Sequence, residues 1–378
     1  MRFGLVAGEA SGDVLGAGLI RALRRELPDA TFEGVAGPAM EAAGCEPWAA
    51  AEELAVMGLI EPLRHIPRLL RLRRSLARRW CESPPDVFIG IDAPDFNFGL
   101  EKKLRRAGIR TAHYVSPTIW AWRAGRIRTV QKAADLVLCI LPFEPPLYDR
   151  HGIDAVFVGH PKAHESPDHV DTQAARRQLG LEAAEIVAVM PGSRGGEVRR
   201  LGGVLAEAAA RIAASRSDTR FVTPLAAARL RPVFERQLEE AGVADRFTLV
   251  DGDAQTVMTA ADVVLHASGT AVLEAALLRK PAVAAYRVAP LTYFLARYLF
   301  RLNLEHYTLP NLLTEEPRVP EFMQGDARPG PIADAVIALL EDPQRRALIS
   351  ERFARLRDEL ALDADQHAAA AVMRLARR

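Results

Sequence analysis

The stretch FGLVAGEASGDVLGAGLIRALRREL, residues 3–27, indicates how the first part of the chain folds. Its first five residues, Phe3–Ala7, form the short apolar run of a buried strand, and Val14–Leu27 carries apolar residues at helical spacing. A strand, a turn with glycine and a helix, in this order, form the repeating unit of a parallel sheet. Such turns often bind phosphate at the helix N-terminus. The carboxylates of Glu9 and Asp13 would repel a phosphate, so we expect the turn GEASGD to hold a different ligand.

Strand and helix patterns alternate in two series along the chain, with a linker between them. The linker is Gly159–Asp171, which is rich in proline, histidine and acidic residues. We therefore predict an α/β fold, in which two doubly wound, Rossmann-like domains with parallel sheets face a cleft and a helical C-terminal tail follows. The expected division is 1–165, 166–345 and 346–378. Besides Phe3–Ala7, the predicted strands are Thr31–Ala36, Val87–Ile91, Arg110–Val115, Asp135–Leu141, Ala155–Val158, Ile186–Met190, Arg220–Pro224, Phe247–Val250, Val263–His266 and Ala282–Tyr286.

Composition and charge argue against several functional classes. The 378 residues include 49 Lys and Arg against 48 Asp and Glu, so the nearly neutral chain lacks the bulk charge for binding nucleic acid. The three cysteines are far apart and match no metal or redox spacing, which favours reduced thiols in the cytosol. We find neither a signal peptide nor an apolar run of the roughly 18–20 residues that span a bilayer. The chain is therefore expected to be soluble or to lie on a membrane surface.

The turn PGSRGGEV, residues 191–198, is the stronger candidate for a phosphate site because it follows a predicted strand and precedes a helix. Gly192 allows close approach of the backbone, the Ser193 hydroxyl can donate a hydrogen bond, and the Arg194 guanidinium offers two parallel donors to phosphate oxygens. Glu197 is expected in the first turn of the helix, where it has a structural reason to be. The alternative is an ordinary turn with a solvated arginine.

A second turn, HASGTAVLE at residues 266–274, favours a nucleotide diphosphate when it is combined with the first. Ser268, Gly269 and Thr270 follow a predicted strand, and Glu274 lies one helical turn further on. The helix N-terminus would attract a pyrophosphate, and the Glu274 carboxylate would accept hydrogen bonds from a ribose diol. Taken alone, the segment is better explained as a capped helix with an acidic first turn.

Two segments of the first domain supply candidate catalytic and sugar-binding residues. In IDAPDFN, Asp92 ends a buried strand and is our candidate general base, whereas Asp95 is expected to cap the next helix. In HYVSPTIWAWR, Trp120 and Trp122 would either stack on a sugar or lie in the core, and the sequence leaves both interpretations open.

Two apolar stretches rich in arginine, Val56–Trp80 and Leu291–Asn303, are typical of segments that bind anionic lipid. The alternative is a surface helix with one solvated basic face. Because two such stretches occur in a neutral chain, we favour contact with an anionic membrane.

Asp251 and Asp253 match the Asp-x-Asp pattern with which some sugar-nucleotide enzymes hold a divalent metal. Two acids alone make a weak magnesium site. We therefore interpret this segment as a turn in which an aspartate caps a helix, with no metal.

Nine separated motifs occur in a fixed order across nearly the whole chain: LVAGEASGD, GVAGPAM, ELAVMG, IDAPDFN, HYVSPTIWAWR, LPFE, PGSRGGEV, ASGTAVLE and LPNLL. In this combination the chain resembles the lipid-A-disaccharide synthases, bacterial glycosyltransferases of the GT-B fold. The resemblance implies transfer of 2,3-diacylglucosamine from UDP to the 6-hydroxyl of 2,3-diacylglucosamine 1-phosphate, with inversion to a β-1′,6 bond and release of UDP. It also implies a place in lipopolysaccharide assembly, peripheral on the cytoplasmic face of the inner membrane, and no metal or other cofactor.

The same resemblance implies roles for single residues. Asp92 would be the general base, Arg194 would bind the UDP diphosphate and Glu274 would bind the ribose. Asn311 of LPNLL would lie near the active site. Since the phosphates then have their own site, the first turn is expected to bind carbohydrate, with glycines that admit the substrate and carboxylates that accept hydrogen bonds from it: Gly8, Glu9, Ser11, Gly12 and Asp13.

Other functional classes stay open at this point. A UDP-N-acetylglucosamine epimerase or the peptidoglycan N-acetylglucosaminyltransferase would share the nucleotide site, but neither explains the arginine-rich stretches together with IDAPDFN and WAWR. A non-catalytic, membrane-peripheral UDP-sugar-binding protein would need Arg194 and Glu274 but no acid such as Asp92. The oligomeric state is also open, since the tail would pack on the first domain or on a neighbouring chain of a homo-oligomer.

Overall fold

The computed structural model describes residues 1–54, 61–120, 124–181, 185–267, 272–288, 305–314, 316 and 319–378 of the chain. These residues form two compact units. The first unit contains Met1–His164 together with Leu360–Arg378, and the second contains Glu165–Glu359. No helix in these described ranges is both long enough and apolar enough to cross a bilayer.

The first unit is built on a parallel sheet. Its strands are β1 (Arg2–Ala7), β2 (Thr31–Ala36), β3 (Cys45–Ala50), β4 (Val87–Ile91), β5 (Arg110–Tyr114), β6 (Leu136–Cys139) and β7 (Asp154–Phe157). They lie side by side in the order β3-β2-β1-β4-β5-β6-β7. The helices between them are α1 (Ala10–Glu26), α2 (Pro38–Ala42), α3 (Glu61–Glu82), α4 (Pro94–Arg106), α5 (Ile127–Ala133), α6 (Pro145–Asp149) and α7 (Pro161–Glu165).

The second unit has a parallel sheet of its own. Its strands are β8 (Glu185–Met190), β9 (Thr219–Leu225), β10 (Phe247–Asp251), β11 (Val263–His266), β12 (Ala282–Tyr286) and β13 (Glu321–Met323), in the order β10-β9-β8-β11-β12-β13. The helices are α8 (Thr172–Leu179), α9 (Gly195–Ser215), α10 (Arg231–Glu240), α11 (Ala254–Ala260), α12 (Val272–Leu277), α13 (Leu309–Leu313), α14 (Pro329–Glu341) and α15 (Pro343–Leu360). The predicted α/β fold with two parallel sheets is thereby confirmed.

The C-terminal tail is divided between the units, which differs from the single tail predicted from residue 346. Most of α15 belongs to the second unit, where the Ser350 hydroxyl donates to the carbonyl of Arg279 (2.8 Å) and Arg357 pairs with Asp168 (2.6 Å). The last helix, α16 (Ala364–Ala376), belongs to the first unit and contributes buried alanines, Val372 and Leu375 to its core.

Two strands, β3 and β13, were not predicted, and both lie at an edge of their sheet. An edge strand has a partner on one side only, so it needs less apolar surface and fewer residues than a central strand. The sequence of β3, CEPWAA, contains Pro47, and β13 has three residues. Neither carries the continuous apolar run that marks the buried central strands.

Candidate functional site

The second unit contains a cavity of about 390 Å³ at the carboxyl ends of β8, β9 and β11. In an open parallel sheet this edge is where ligands bind. The structure brings these predicted residues together around the cavity: Gly192, Ser193, Arg194 and Glu274. The remaining predicted residues of this site lie outside the described part of the chain: Ser268, Gly269 and Thr270.

Glu197 fixes the shape of the turn between β8 and α9. Its Oε2 accepts hydrogen bonds from the backbone N–H groups of Ser193 (3.1 Å) and Arg194 (3.2 Å). Gly192 has a φ of +109°, and a Cβ there would lie 2.7 Å from Oε2 of Glu197, so glycine is required. The Arg194 side chain is 71% exposed. The turn thus presents a solvent-accessible guanidinium, 3.8 Å from Oε1 of Glu197, and a guanidinium of this kind can bind an anion.

Both acids of the Asp-x-Asp pattern have structural partners. Asp253 lines the cavity and caps α11, as predicted, by accepting a hydrogen bond from the Thr256 N–H (3.2 Å). Asp251 pairs with Arg231 at 2.8 Å. Within the ranges that the structure describes, no group of three or more His, Cys, Asp or Glu side chains is arranged to hold a metal ion.

His266, the last residue of β11, also lines the cavity and is not among the predicted site residues. The residue is 4% exposed, and neither ring nitrogen has a hydrogen-bond partner among the described residues. Burial lowers the pKa of the ring to about 4, so the ring is neutral at pH 7. The position of His266 in the sequence indicates this role, because a histidine at the end of the apolar run VVLH lies at the ligand-binding edge of the sheet.

The first unit contains another cavity, of about 460 Å³, which brings Glu9 and Asp92 together. Arg73 of α3 also lines it. Apolar side chains form much of the remaining wall: Leu54, Ile66, Leu69, Leu70, Pro94 and Phe96. A carboxylate therefore faces the same space as a wall suited to hydrocarbon.

Asp92 lies in a strained turn between β4 and α4. Asp92 and Ala93 have φ values of 51° and 42°, and side-chain-bearing residues rarely adopt this left-handed region, least of all in succession. The buried side-chain amide of Asn97 donates to the carbonyl oxygen of Asp92 at 2.8 Å and lies 3.3 Å from that of Val6. These contacts stabilise the backbone conformation in which Asp92 lines the cavity.

Asp95 does not cap α4, which corrects our prediction. Ala93 occupies the capping position, and no side chain there accepts a hydrogen bond from the helix. The Asp95 side chain is 85% exposed and pairs with Arg126 at 2.5 Å. Asp92 and Asp95 thus differ in surroundings, since only Asp92 lies in the strained turn that Asn97 supports.

Asp13 has a structural role instead of the carbohydrate-binding role that we predicted. It is 5% exposed, and its two oxygens accept hydrogen bonds from the backbone N–H groups of Gly37 (2.9 Å), Ala39 (2.8 Å) and Met40 (3.0 Å) at the start of α2. Its carboxylate therefore serves the N-terminus of a neighbouring helix. Of the predicted acids in this turn, Glu9 is the one that reaches the cavity.

Packing requires glycine at the first of the turn's two glycines, and their role in admitting the substrate stays a prediction. A Cβ at Gly8 would lie 2.4 Å from the Cβ of Ala93, and a Cβ at Gly12 would lie 3.5 Å from Ile91. Gly8 therefore lets the first turn pack directly against the turn that carries Asp92. Ser11 is exposed at the surface of α1.

The remaining predicted residues differ in their surroundings. Trp120 is half-buried, donates from Nε1 to Oε1 of Glu144 at 3.2 Å and packs edge-on against Phe143, while Trp122 lies outside the described residues. Asn311 is 6% exposed, and its amide exchanges two hydrogen bonds with the backbone of Val319, at 2.8 and 2.6 Å. Because both ends of its amide are engaged, Asn311 holds a chain segment in place, and its place near the active site stays a prediction.

The described part of the arginine-rich stretch Val56–Trp80 is an amphipathic helix, α3. Trp80, which we had counted as part of a membrane surface, is fully buried and packs against Phe88 and Gly4. The opposite face exposes arginines at spacings of three and four residues: Arg71, Arg74 and Arg78. The second stretch, Leu291–Asn303, lies outside the described residues.

A family model described as lipid-A-disaccharide synthetase matches residues 3–373 of the chain. The chain belongs to this family. It is 50% identical over 376 residues to the lipid-A-disaccharide synthase of Alkalilimnicola ehrlichii, which covers 99% of this chain and 98% of the relative. The synthase of Xanthomonas campestris is 48% identical, and the alignment covers 99% of this chain and 86% of that relative. The chain is thus a glycosyltransferase of lipid A biosynthesis, and the resemblance seen in its sequence motifs is confirmed.

Solved structures of similar fold include the UDP-GlcNAc 2-epimerase of Neisseria meningitidis bound to UDP-GlcNAc, with a TM-score of 0.58 and 13% identity over 100% of this chain and 99% of that one. A glycosyltransferase from Rickettsia africae gives a TM-score of 0.60 with 11% identity over 99% and 97% of the two chains. At such identities the likeness concerns the fold alone, and it confirms that this lipid-A-disaccharide synthase family member has the GT-B type.

Proposed function

We propose that the protein transfers 2,3-diacylglucosamine from UDP to the 6-hydroxyl of 2,3-diacylglucosamine 1-phosphate, with inversion at the anomeric carbon. The products are the β-1′,6-linked disaccharide and UDP. The observation that carries the proposal is the cavity of the first unit, where Asp92 faces the same space as Leu69, Leu70 and Phe96. An acylated sugar alcohol needs both a base for its hydroxyl and an apolar surface for its chains.

Asp92 is the general base in this proposal. Its carboxylate takes the proton of the acceptor 6-hydroxyl while that oxygen forms the new bond to the anomeric carbon of the donor. The bond between this carbon and the UDP oxygen breaks, and its electron pair leaves with UDP. Glu9, which lines the same cavity, is placed to accept hydrogen bonds from the acceptor sugar.

The donor nucleotide binds at the cavity of the second unit. The guanidinium of Arg194 and the N-terminus of α9 stabilise the negative charge that grows on the leaving diphosphate. Glu274, in the first turn of α12, accepts hydrogen bonds from the ribose. We propose that these groups suffice without a bound metal, so that a chelator leaves turnover unchanged.

Replacing Asp92 with asparagine tests the chemical step because it keeps the size of the side chain and removes its basicity. We expect kcat to fall roughly 10²–10⁴-fold, with disaccharide formation followed by mass spectrometry. Asp95→Asn is the matched control, since Asp95 also lines the cavity but is 85% exposed and pairs with Arg126. Near wild-type turnover by Asp92→Asn would remove Asp92 from its proposed role.

A second assay distinguishes the proposed reaction from sugar epimerisation, and it uses NMR because epimers at C2 have the same mass. Wild-type protein incubated with UDP-N-acetylglucosamine and no acylated acceptor should return the sugar nucleotide unchanged. Appearance of an epimer at C2 would favour an epimerase. Release of UDP only in the presence of acylated acceptor would also distinguish an enzyme from a binding protein.

We also propose that the protein works peripherally on the cytoplasmic face of the inner membrane, with the exposed arginine face of α3 on anionic lipid. The support is spacing and exposure, because Arg71, Arg74 and Arg78 lie on one face while Leu76 and Trp80 of the opposite face are buried. Arg78 also pairs with Glu82 at 3.4 Å. Sedimentation with vesicles tests this, since replacement of the three arginines with serine should abolish any preference for anionic over neutral vesicles.

A further inference from the structure

A buried histidine stands at the position in the second sheet where its winding reverses. From β8 the chain proceeds outward on one side through β9 and β10, and then returns to the other side of β8 with β11. Ligands of open parallel sheets bind outside such a switch point. His266 ends β11 there, paired across the sheet with Met190, the last residue of β8.

The pairing places His266 beside the turn that suits an anion. The backbone N–H of Ala267 donates to the carbonyl of Met190 (2.9 Å), so the two strands stay side by side until one residue past His266. Met190 leads directly into Pro191, Gly192 and the turn that carries Arg194. His266 lines the same cavity as this turn.

A buried polar side chain without a partner is expensive, and native proteins satisfy nearly all of them. His266 is 4% exposed, yet neither of its ring nitrogens has a hydrogen-bond partner among the described residues. Because His266 lies at the ligand-binding edge of the sheet, a bound ligand can supply the missing hydrogen-bond partner.

We propose that the ring of His266 donates a hydrogen bond to the diphosphate of the bound UDP-sugar. This inference rests on the proposed function, of which it names a further donor-binding residue. Burial keeps the free ring neutral at pH 7, and a neutral ring still offers one N–H donor. The charged side chains that share the cavity are Arg194, Glu197, Asp253 and Glu274. The diphosphate is the favoured contact because Arg194, the cation among these four side chains, lies in the turn next to His266.

Affinities for UDP and for uridine, measured by titration calorimetry, test the proposal because only UDP carries phosphates. A hydrogen bond to a charged group is worth about 1.5–3 kcal/mol, so His266→Ala should weaken UDP binding about 10–100-fold. Its affinity for uridine should stay within about twofold. His266→Gln, which keeps an N–H donor, should lose less than His266→Ala.

Thr223→Val is the matched control. Thr223, in β9, is also fully buried with a hydroxyl that has no hydrogen-bond partner in the described residues, but it does not line the cavity. Its replacement should leave both affinities unchanged. Unchanged UDP binding by His266→Ala, or an equal loss for UDP and uridine, would overturn the proposal.

Two outcomes separate this proposal from the proposed function. If the wild-type protein neither bound UDP nor formed the disaccharide, both would fail. If it did both while His266→Ala bound UDP as tightly as wild type, only the role of His266 would fail. Should the variants not fold, a crystal structure of the wild-type protein with UDP decides, since more than about 4 Å between the ring nitrogens and the nearest phosphate oxygen excludes the hydrogen bond.

Discussion

The side-chain amide of Asn97 donates a 2.8 Å hydrogen bond to the carbonyl oxygen of Asp92, the proposed base. Asn97 is fully buried in the first turns of α4, and Asp92 and the residue after it both have left-handed backbone conformations. Conformations of this kind persist only where the surrounding structure supports them. If Asp92 is the base, as we propose, Asn97 is a positioning residue that acts through the backbone of Asp92.

Replacement of Asn97 with alanine should lower kcat about tenfold or more while the KM for the UDP-sugar changes little. The reason is that the turn loses the donor that holds its carbonyl groups, and the Asp92 carboxylate moves from its place. Steady-state kinetics with both substrates measure the effect. Thr111→Val is the control, because Thr111 is equally buried and its hydroxyl bonds the carbonyl of Ala133 (2.7 Å) away from the turn. If Thr111→Val lowered kcat as much as Asn97→Ala, the effect would be one of general stability.

Replacement of Gly192 with alanine should weaken UDP binding about tenfold. A Cβ at this position would lie 2.7 Å from Oε2 of Glu197 and would be attached to a residue with a φ of +109°, so the turn must change shape. Calorimetric titration with UDP measures the loss. Gly203→Ala, in the same helix-and-turn segment, is the control, since no atom would lie within 4 Å of its Cβ. That change should keep UDP affinity and stabilise α9 by about 0.5–1 kcal/mol.

Glu144 should make the protein less stable as the pH rises towards neutrality. Burial raises the pKa of this carboxyl from its ordinary 4.5 to about 7, although its oxygens accept hydrogen bonds from Leu141 N–H (3.1 Å) and Trp120 Nε1 (3.2 Å). A raised pKa in the folded protein means that the stabilisation is complete below pH 4.5 and is lost as the pH passes through 7. The rise of this pKa from 4.5 to about 7 corresponds to a loss of roughly 3 kcal/mol from the free energy of unfolding.

Urea unfolding at pH 5 and pH 8 checks this prediction for Glu144. The wild-type protein should lose more stability between these two values than the Glu144→Gln variant, which carries no titratable group at this position. Equal pH dependence in the two proteins would show that Glu144 titrates normally.

Replacement of Leu69 with alanine should raise the KM for the acylated acceptor about tenfold. Leu69 is half-buried on the wall of the Asp92 cavity, and burial of each methylene group contributes about 0.8 kcal/mol. The loss should shrink when acceptors with short acyl chains are used. Leu348→Ala is the control, because Leu348 is 57% exposed on α15. An identical rise for short-chain and long-chain acceptors would argue against an acyl-binding wall.

The sequence predicts the central strands of both sheets well because each is buried on two faces and must be apolar throughout. It also indicates the turn at Gly192–Arg194, because the glycine between a strand and a helix pattern predicts a tight turn there. The prediction for the cap at Asp253 is confirmed for the same reason, since its partner, Thr256, lies three residues away.

Sequence reasoning fails where the partner of a polar side chain is distant or is backbone. Asp13 bonds N–H groups that lie 24 to 27 residues further along the chain, and no local pattern marks them. Asn311 bonds the backbone of Val319, whose own side chain gives no sign of it. Both residues belong to sequence motifs of the family, yet their contacts are those of structural residues. His266 was overlooked because it ends an apolar run and was counted as part of the strand.

The backbone N–H of His160 donates to the carbonyl of Leu360 at 2.8 Å, so the chain leaves the first unit and re-enters it at neighbouring points. The second unit is thereby one uninterrupted insert between these points. A gene segment for residues 165–359 can therefore be exchanged as a single piece while the seven strands of the first sheet keep their order along the chain.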